Sequence, residues 1–262
     1  MIRRRLSLLL FVLSLGCRSE PASKETLTPA PAAERDRASP PAEGESGSPV
    51  IPGASSGINA FWRAASAGAA EGELEDESRE IFHERKKIAD LVAPAPGAAV
   101  ADVGAGSGFM TLEFARRVGP KGKVYSVDIN QELLDHIAGQ AKKAGLSQVV
   151  TVRGDQDATR LGPGTVDIVF VCDTYHHFEN PAAMLASIRA ALRPGGHLIL
   201  VDLKRGPDVP YTQHSWPFWE GHLRGDKAMF VKEIESAGFS VVKSYEDAPF
   251  LRENYMVRFT RK

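Results

Sequence analysis

A glycine-rich loop lies between a strand-like and a helix-like segment near the middle of the chain. Residues 98–103 form a short apolar run, residues 111–118 have helical spacing, and Gly104, Gly106 and Gly108 lie between them. Glycine lets the backbone turn tightly and lets a ligand approach the main chain closely. In an open α/β sheet, such a loop follows the carboxyl end of the first strand, where ligands bind. The loop therefore predicts an α/β fold with a ligand site at this point.

Strand-like and helix-like segments alternate along the rest of the chain. The run at 166–171 is almost entirely apolar, as expected for a strand buried on both faces. The predicted strands are 98–103, 123–128, 149–152, 166–171, 197–203, 239–245 and 255–260, and the predicted helices are 73–92, 111–118, 131–144, 181–192 and 226–237. This order predicts a doubly wound parallel sheet with helices on both faces.

The spacing of the glycines and the acid before them bear on the ligand of the loop. A dinucleotide site needs a small residue at the third position of G-x-G-x-x-G, and here that position is the large Phe109. Asp102 lies two residues before Gly104, where its charge would repel a pyrophosphate. The same charge would attract the sulfonium and ammonium groups of S-adenosylmethionine. We therefore favour this methyl donor over a nicotinamide dinucleotide.

Two further acids follow the next two predicted strands. Asp128 ends the strand at 123–128, and a carboxylate at that place can accept hydrogen bonds from both hydroxyls of a ribose. Asp155 follows Gly154 after the third strand and can accept a hydrogen bond from an adenine amino group. A turn-forming Gly-Asp pair is the alternative interpretation of Asp155.

Several segments of the chain, in the order in which they occur, resemble the class I S-adenosylmethionine-dependent methyltransferases. The matching segments are ADVGAGSG (101–108), GKVYSVDIN (122–130), Gly154-Asp155, DIVFVCDTYHHF (167–178), LRPGGHLILVD (192–202) and AGF (237–239). The resemblance covers residues 79–262 and implies a Rossmann-like, doubly wound, seven-stranded, mostly parallel sheet whose last strand is antiparallel. It also implies S-adenosyl-L-methionine as the cofactor and methyl transfer to an acceptor, which we expect to be a small molecule.

The resemblance also implies which residues contact the cofactor. Asp102 and the glycines would contact its amino-acid end, Asp128 its ribose, and Asp155 its adenine. Cys172 and Asp173 would line the methionine side of the pocket. The expected cofactor-binding residues are Asp102, Gly104, Ala105, Gly106, Gly108, Asp128, Ile129, Asp155 and Asp173.

Candidates for the chemistry follow the fourth and fifth predicted strands. Methyl transfer needs a positioned acceptor, and it needs a base only where the acceptor loses a proton. Tyr175 and His176 follow the strand at 166–171 and are expected to face the methyl group, while His214 or His222 is expected to reach the reacting atom. The catalytic candidates are thus Tyr175, His176 and His222. A structural hydrogen bond to the backbone is the alternative for the histidines.

The segment 210–224 is rich in aromatic residues and follows the fifth predicted strand. Trp216, Phe218 and Trp219 would form an apolar lid over the acceptor. The alternative is that these rings pack beneath a long loop.

Patterns of metal ligands are weak in this sequence. The chain has 2 cysteines, Cys17 and Cys172, which excludes a disulfide scaffold and a cysteine-rich zinc site. His176 and His177 are adjacent, but neighbouring side chains diverge, and no cluster of acids accompanies them. We therefore expect no metal.

Charge and motifs limit the other classes of function. The chain carries 32 Lys and Arg against 33 Asp and Glu, which is a net charge of −1. Because phosphate neutralisation needs an excess of cations, we expect no nucleic-acid partner. Two alternatives to a methyltransferase remain: a non-catalytic, membrane-anchored binding module that keeps the fold, and an NAD-dependent oxidoreductase, which Phe109 disfavours. The sequence carries no signal for an oligomeric state.

The N-terminal region predicts export and anchoring. Three arginines precede an apolar run that ends before Gly16-Cys17, as in a bacterial lipoprotein signal in which Cys17 is lipidated, although Ser14 departs from that pattern. Residues 18–57 contain seven prolines and no aromatic residue, which is typical of a disordered linker. We therefore expect a signal peptide at 1–17, a linker at 18–57 and a methyltransferase domain at 58–262. The protein would be membrane-anchored, or cytoplasmic if the signal is not used, and because the methyl donor is cytoplasmic, export conflicts with the predicted activity.

Overall fold

A computed structural model of the chain describes residues 53–54, 57–206, 209, 222–246 and 248–262. The chain divides into two units, Met1–Ser46 and Gly47–Lys262, and the first lies outside the described residues. The predictions for Cys17, His214 and the aromatic lid also fall outside them. Within the described part, no helix has both the length and the apolar character needed to cross a bilayer.

Helices and strands alternate as the sequence predicts. The helices are α1 (Ala60–Ala64), α2 (Ala67–Leu74), α3 (Glu80–His83), α4 (Arg85–Val92), α5 (Phe109–Val118), α6 (Gln131–Lys143), α7 (Pro181–Ala191) and α8 (Lys227–Ser236). The strands are β1 (Ala99–Val103), β2 (Lys123–Asp128), β3 (Val149–Arg153), β4 (Val166–Cys172), β5 (Leu192–Leu203), β6 (Phe239–Ser244) and β7 (Asn254–Arg261). A short 3-10 helix spans Tyr175–His177.

The strands form a 7-stranded sheet in the order β3-β2-β1-β4-β5-β7-β6. The pairs from β3 to β5 are parallel, and β7 is antiparallel to both β5 and β6. This confirms the predicted doubly wound, mostly parallel sheet with an antiparallel last strand. The chain leaves β1 toward β2 on one side and returns to β4 on the other. The switch point therefore lies at the carboxyl ends of β1 and β4, where open α/β sheets bind ligands.

The central strands are buried on both faces. In β4, Val169 belongs to the core beneath α7 and α8, and Phe170 belongs to the core beneath α4 and α5. Both side chains are fully buried, as the apolar run predicts. Burial of one such side chain stabilises the fold by about 1.5–3 kcal/mol, so the two cores hold the strand ends rigidly in place.

The structure differs from the sequence-based boundaries at the N-terminal side. The helix predicted at 73–92 is interrupted, because the backbone N–H of Ser78 donates to Oδ1 of Asp76 at 2.7 Å and forms a turn. In addition, Ala54 lies within the predicted linker, yet its backbone N–H donates to the carbonyl oxygen of Phe178 at 2.8 Å. Contact with the fold therefore begins upstream of residue 58.

Candidate functional site

A cavity of about 600 Å³ lies at the carboxyl ends of β1, β2 and β4. Parallel register brings these ends together, because Val103 of β1 is paired with Val127 of β2 and with Val171 of β4. The cavity wall combines carboxylates that end the strands with apolar side chains such as Phe109 and Met184. Its position and mixed lining are those of a small-molecule site in this class of fold.

The glycine loop lines this cavity through Gly104, Ala105 and Gly106. Gly104 has φ 73°, and a Cβ there would lie 2.3 Å from Cγ2 of Thr174, so only glycine fits. Gly108 was also expected to contact the cofactor, but it is not part of the cavity wall. It precedes α5 with φ 87°, and a Cβ there would meet Ile137 at 2.5 Å, so Gly108 allows close packing against α6.

Asp102 lines the cavity near the end of β1 and is 3% exposed. The hydroxyl of Thr111 donates to its Oδ2 at 2.6 Å. Burial raises the pKa of Asp102 to about 7, and the nearby charge of Asp128 adds to this effect, while the bond from Thr111 opposes it. A cation bound beside Asp102 would offset the desolvation of its ionised carboxylate, so this position favours a cationic ligand.

Asp128 ends β2 and accepts backbone hydrogen bonds on both of its oxygens. Gly106 donates to Oδ2 and Asn130 donates to Oδ1, each at 2.9 Å. Burial raises the pKa of Asp128, and these bonds partly offset the rise. Each carboxylate oxygen can accept a further bond, so Asp128 and the adjacent Ile129, which both line the cavity, can still contact a ligand.

Asp155 lies at the cavity beside Gly154 but is already paired. Its carboxylate accepts from the guanidinium of Arg160, with Nε at 2.6 Å, and its backbone N–H donates to the carbonyl of Ala158 at 2.8 Å. These local contacts favour the alternative interpretation of the sequence, in which Gly154 and Asp155 form a turn. The adenine contact of Asp155 stays a prediction.

Asp173 follows β4 and lines the cavity in a left-handed conformation, with φ 45°. Its Oδ2 accepts from Arg79 at 3.0 Å and its Oδ1 accepts from the side-chain amide of Asn254 at 2.6 Å. Burial raises its pKa to about 6, against the opposing charge of Arg79. Sequence reasoning missed Arg79, which lines the same wall, because it precedes β1 and belongs to no motif.

Tyr175 does not reach the cavity, although the sequence suggested that it faces the methyl group. It is 1% exposed, and its hydroxyl donates to Oε2 of Glu233 at 2.9 Å. Arg224 donates to both oxygens of the same carboxylate, and the ring of Tyr175 packs against Phe230. Tyr175 thus belongs to the core beneath α8 rather than to the cavity wall.

His176 lines the cavity and is held by Asp202 at the end of β5. The Nδ1 atom of His176 lies 2.6 Å from Oδ1 of Asp202, and the backbone N–H of His176 donates to Oδ2 at 3.2 Å. Both side chains are buried. Because Nδ1 of His176 contacts Asp202, Nε2 is the ring nitrogen that can contact a ligand. Asp202 was missed as a site residue, although it ends a strand at the same edge as Asp102 and Asp128.

Three histidine rings come together at this end of the cavity. The ring centroids of His176 and His177 are 4.4 Å apart, and His222 lies 5.1 Å from the first and 5.0 Å from the second. The expectation that the adjacent side chains diverge is therefore wrong, because the 3-10 helix turns both rings toward His222. Burial lowers the pKa of His177 to about 2 and that of His222 to about 4, and the neighbouring His176 ring lowers both further.

The helical segment α1 covers one side of the cavity, which the sequence did not predict. Phe61 and Trp62 line the wall. The side-chain amide of Asn130 donates to the carbonyl of Trp62 at 2.9 Å, and that of Asn59 donates to the carbonyl of His177 at 3.0 Å. These bonds join α1 and its N-cap residue Asn59 to the segments that follow β2 and β4.

Comparison with known proteins gives a consistent picture. Residues 100–196 match the family described as "Methyltransferase domain". The chain is 32% identical to nocamycin O-methyltransferase of Saccharothrix syringae over 131 residues, which are 50% of this chain and 45% of that protein. It is 24% identical to demethylmenaquinone methyltransferase of Lactococcus lactis over 165 residues, which are 63% of each. The chain thus spans less than two thirds of these relatives.

Solved structures share the fold over most of this chain. A SAM-dependent methyltransferase from Aquifex aeolicus has a TM-score of 0.63 at 24% identity and covers 75% of this chain and 99% of its own. The [4+2]-cyclase SpnF has a TM-score of 0.61 at 16% identity and covers 83% of this chain and 99% of its own. The fold is therefore the Rossmann-like class I methyltransferase fold. Since one neighbour is described as a cyclase, the reaction has to be argued from the site itself.

Proposed function

We propose that this protein is an S-adenosylmethionine-dependent methyltransferase that acts on a small-molecule acceptor. The observation that carries the proposal is the pairing of two buried carboxylates, Asp102 and Asp128, around a cavity whose floor is the glycine loop. Burial raises the pKa of both groups, because desolvation disfavours the ionised carboxylates. A cation bound beside them would stabilise these ionised forms. The match of residues 100–196 to a methyltransferase domain supports the same conclusion.

The same features argue against a dinucleotide cofactor. A pyrophosphate at the loop would lie beside the carboxylates of Asp102 and Asp128, and like charges in a buried site repel strongly. Phe109 starts α5 at the position that a dinucleotide fold keeps small, and its ring packs edge-on against Phe82, with centroids 5.4 Å apart. Phe109 is therefore part of the packing and does not make room for phosphates.

Two kinds of group in the cavity fit S-adenosylmethionine, namely the main chain of the glycine loop and the carboxylates at the strand ends. Gly104, Ala105 and Gly106 leave main chain exposed to a ligand, and Asp102 and Asp128 supply acceptors for its polar ends. When bound, the donor supplies a methyl group that its positive sulfur activates for displacement. The protein then has to hold the acceptor in line and exclude water.

The acceptor end of the cavity is formed by the histidines and by apolar side chains. Met184, Phe178 and Leu203 line the same cavity as His176 and His222. An acceptor with an apolar body and one polar reacting group fits such a wall. The two relatives described above are named for O-methyl transfer and for methylation of a demethylmenaquinone, which are reactions of small molecules.

Isotope transfer tests this proposal. The purified chain is incubated with methyl-labelled donor and a small-molecule extract, and labelled product is separated by chromatography. Labelled product is expected with the wild type and is expected to disappear with Asp128→Ala. Binding of the donor is measured separately by calorimetry. If a folded protein neither binds the donor nor transfers label, the proposal is wrong, and donor binding without transfer from any extract would favour the non-catalytic binding module.

We also propose that the N-terminal segment anchors the protein to a membrane through a lipid on Cys17. The support is the arginine-rich, apolar start that ends at Gly16-Cys17, followed by a proline-rich segment. A single acyl chain binds a membrane only weakly, so stable anchoring needs a second signal. A lipoprotein-type cysteine would supply it by carrying more than one acyl chain. Membrane fractionation of wild type and Cys17→Ser tests this, with release of the variant expected. Equal membrane recovery of both would contradict the lipid anchor.

A further inference from the structure

We propose that His176, His177 and His222 form a binding site for a divalent transition metal, zinc in particular, at the acceptor end of the cavity. This inference rests on the proposed function only for the role of the metal, not for its binding. One ring nitrogen from each residue can be chosen so that the three lie within 4.8 Å of one another. All three residues line the cavity.

The geometry is close to that of a bound metal. With Zn–N distances of about 2.0–2.1 Å, a tetrahedral site has ligand nitrogens about 3.3 Å apart. Small rotations of the rings, whose centroids are 4.4 to 5.1 Å apart, would bring the nitrogens to that spacing. Three histidines with a fourth position left to solvent or substrate is a typical set for catalytic zinc.

Two further observations point to a ligand at this place. The Nδ1 atom of His177 is buried and has no hydrogen-bond partner within the described part of the chain. Burial of a polar atom without a partner is costly, and a metal would supply that partner. Asp202 holds Nδ1 of His176 at 2.6 Å, which orients the ring and presents Nε2, as carboxylates do behind metal-bound histidines.

The metal would act on the acceptor. With the three rings on one side, its open position faces the cavity, where the hydroxyl or thiol of an acceptor would coordinate. Coordination lowers the pKa of that group, so its proton leaves to water. The lone pair of the resulting oxygen or sulfur anion then forms the bond to the methyl carbon, and the pair of the broken carbon–sulfur bond stays on the donor's sulfur. The substrate class is therefore an alcohol, phenol or thiol.

Metal titration tests the site directly. The chain is purified without a histidine tag, treated with chelator and titrated with Co²⁺, whose visible absorption reports low-coordinate nitrogen ligation, and Zn²⁺ is then added in competition. We expect one metal per chain. His177→Gln and His222→Gln should each weaken binding, and Asp202→Asn should weaken it by about 10–100-fold. His83→Ala is the control, because His83 is exposed and pairs with Glu77 away from the cavity.

The outcomes separate the metal from the methyl donor. Donor binding is measured on the same samples and should be unchanged in the histidine variants. Because only a folded chain binds the donor, unchanged donor binding shows that a variant has lost the metal and not its fold. If the wild type binds the donor but takes up no Co²⁺ or Zn²⁺ beyond the level of the His177→Gln, His222→Gln double variant, the metal site is wrong and the methyltransferase proposal stands. If a variant does not fold, the metal content of the wild type by mass spectrometry decides alone, and a chain with no bound metal after zinc loading overturns the site.

Discussion

The backbone N–H of Gly106 donates to Oδ2 of Asp128 at 2.9 Å, which joins the glycine loop after β1 to the acid at the end of β2. The loop is also tied to β2 by its own backbone, since Gly104 and Ala105 donate to the carbonyl of Val127 at 2.8 and 3.1 Å. Two motifs that are separate in sequence therefore form one rigid wall of the cavity. Preorganisation of this kind reduces the entropy lost when a ligand binds.

Asp128→Asn should weaken binding of the methyl donor by about 10–100-fold, the equivalent of one charged hydrogen bond of about 1.5–3 kcal/mol. The amide oxygen of Asn can accept only one of the two backbone bonds that Asp128 accepts from Gly106 and Asn130, and it carries no charge, so the variant loses one bond to the loop together with the charge. Calorimetric titration with the donor measures the loss. Asp157→Asn, at an exposed position outside the cavity wall, is the matched control and should bind as the wild type does. Equal affinity of both variants would remove Asp128 from the cofactor site.

Affinity for the donor should rise with pH up to about 7 and then level off. The pKa of Asp102 is raised to about 7 by burial, so the carboxyl is protonated below that pH in the protein without ligand. A bound cation favours the ionised form and lowers this pKa, so binding releases a proton and is favoured as pH rises. Titrations from about pH 5.5 to about pH 8.5, which bracket this pKa, measure the slope. In Asp102→Asn, the contribution of this group to the slope should vanish, and an unchanged profile would show that another group is responsible.

Gly104→Ala should destabilise the protein by about 1–3 kcal/mol and impair donor binding. The residue has φ 73°, and its Cβ would lie 2.3 Å from Thr174, so the loop has to move. Gly139→Ala is the matched control, because Gly139 lies within α6 and an added methyl group would meet nothing within 4 Å. That change should stabilise the protein by about 0.5–1 kcal/mol. Urea unfolding measures both, and a Gly104→Ala protein with wild-type stability would contradict the close contact.

Tyr175→Phe should lower stability by about 1 kcal/mol and leave donor affinity and turnover unchanged. The change removes the hydrogen bond to Glu233, whose carboxylate keeps both bonds from Arg224. The ring itself stays in the core against Phe230. Denaturant unfolding and isotope transfer are compared on one preparation. A large loss of turnover without a loss of stability would instead place Tyr175 in the chemistry, as the sequence suggested.

His176→Ala should lower turnover by about 10²–10⁴-fold and leave donor affinity nearly unchanged, because the acceptor loses the side chain that assists its deprotonation, directly or through a bound metal. His176 lies at the acceptor end of the cavity, whereas the carboxylates expected to hold the donor lie at the ends of β1 and β2. Steady-state rates with the acceptor found by isotope transfer give the first quantity, and calorimetry gives the second. His136→Ala, on α6 beside Glu71, controls for loss of a histidine elsewhere. Equal turnover of His176→Ala and wild type would exclude His176 from the mechanism.

Local sequence determined the elements and the first two acids of the site. Alternation of apolar runs with helical spacing is a short-range property, so the strands and most helix ends agree with the structure to within a few residues, apart from β5, which begins at Leu192 and not at residue 197. Asp102 and Asp128 could be found because strand ends carry the ligand in parallel sheets, and the glycines mark the loop between them. These inferences need only the neighbours of each residue along the chain.

Tertiary structure alone decided which other side chains meet. Tyr175 and His176 are adjacent, yet one is buried beneath α8 and the other lines the cavity, because the 3-10 helix turns them in different directions. The contacts of His176 with Asp202 and with His222 join segments far apart in sequence. Pairing over such distances depends on how the strands are ordered in the sheet and how the helices pack on it. Spacing along the chain carries no record of that arrangement.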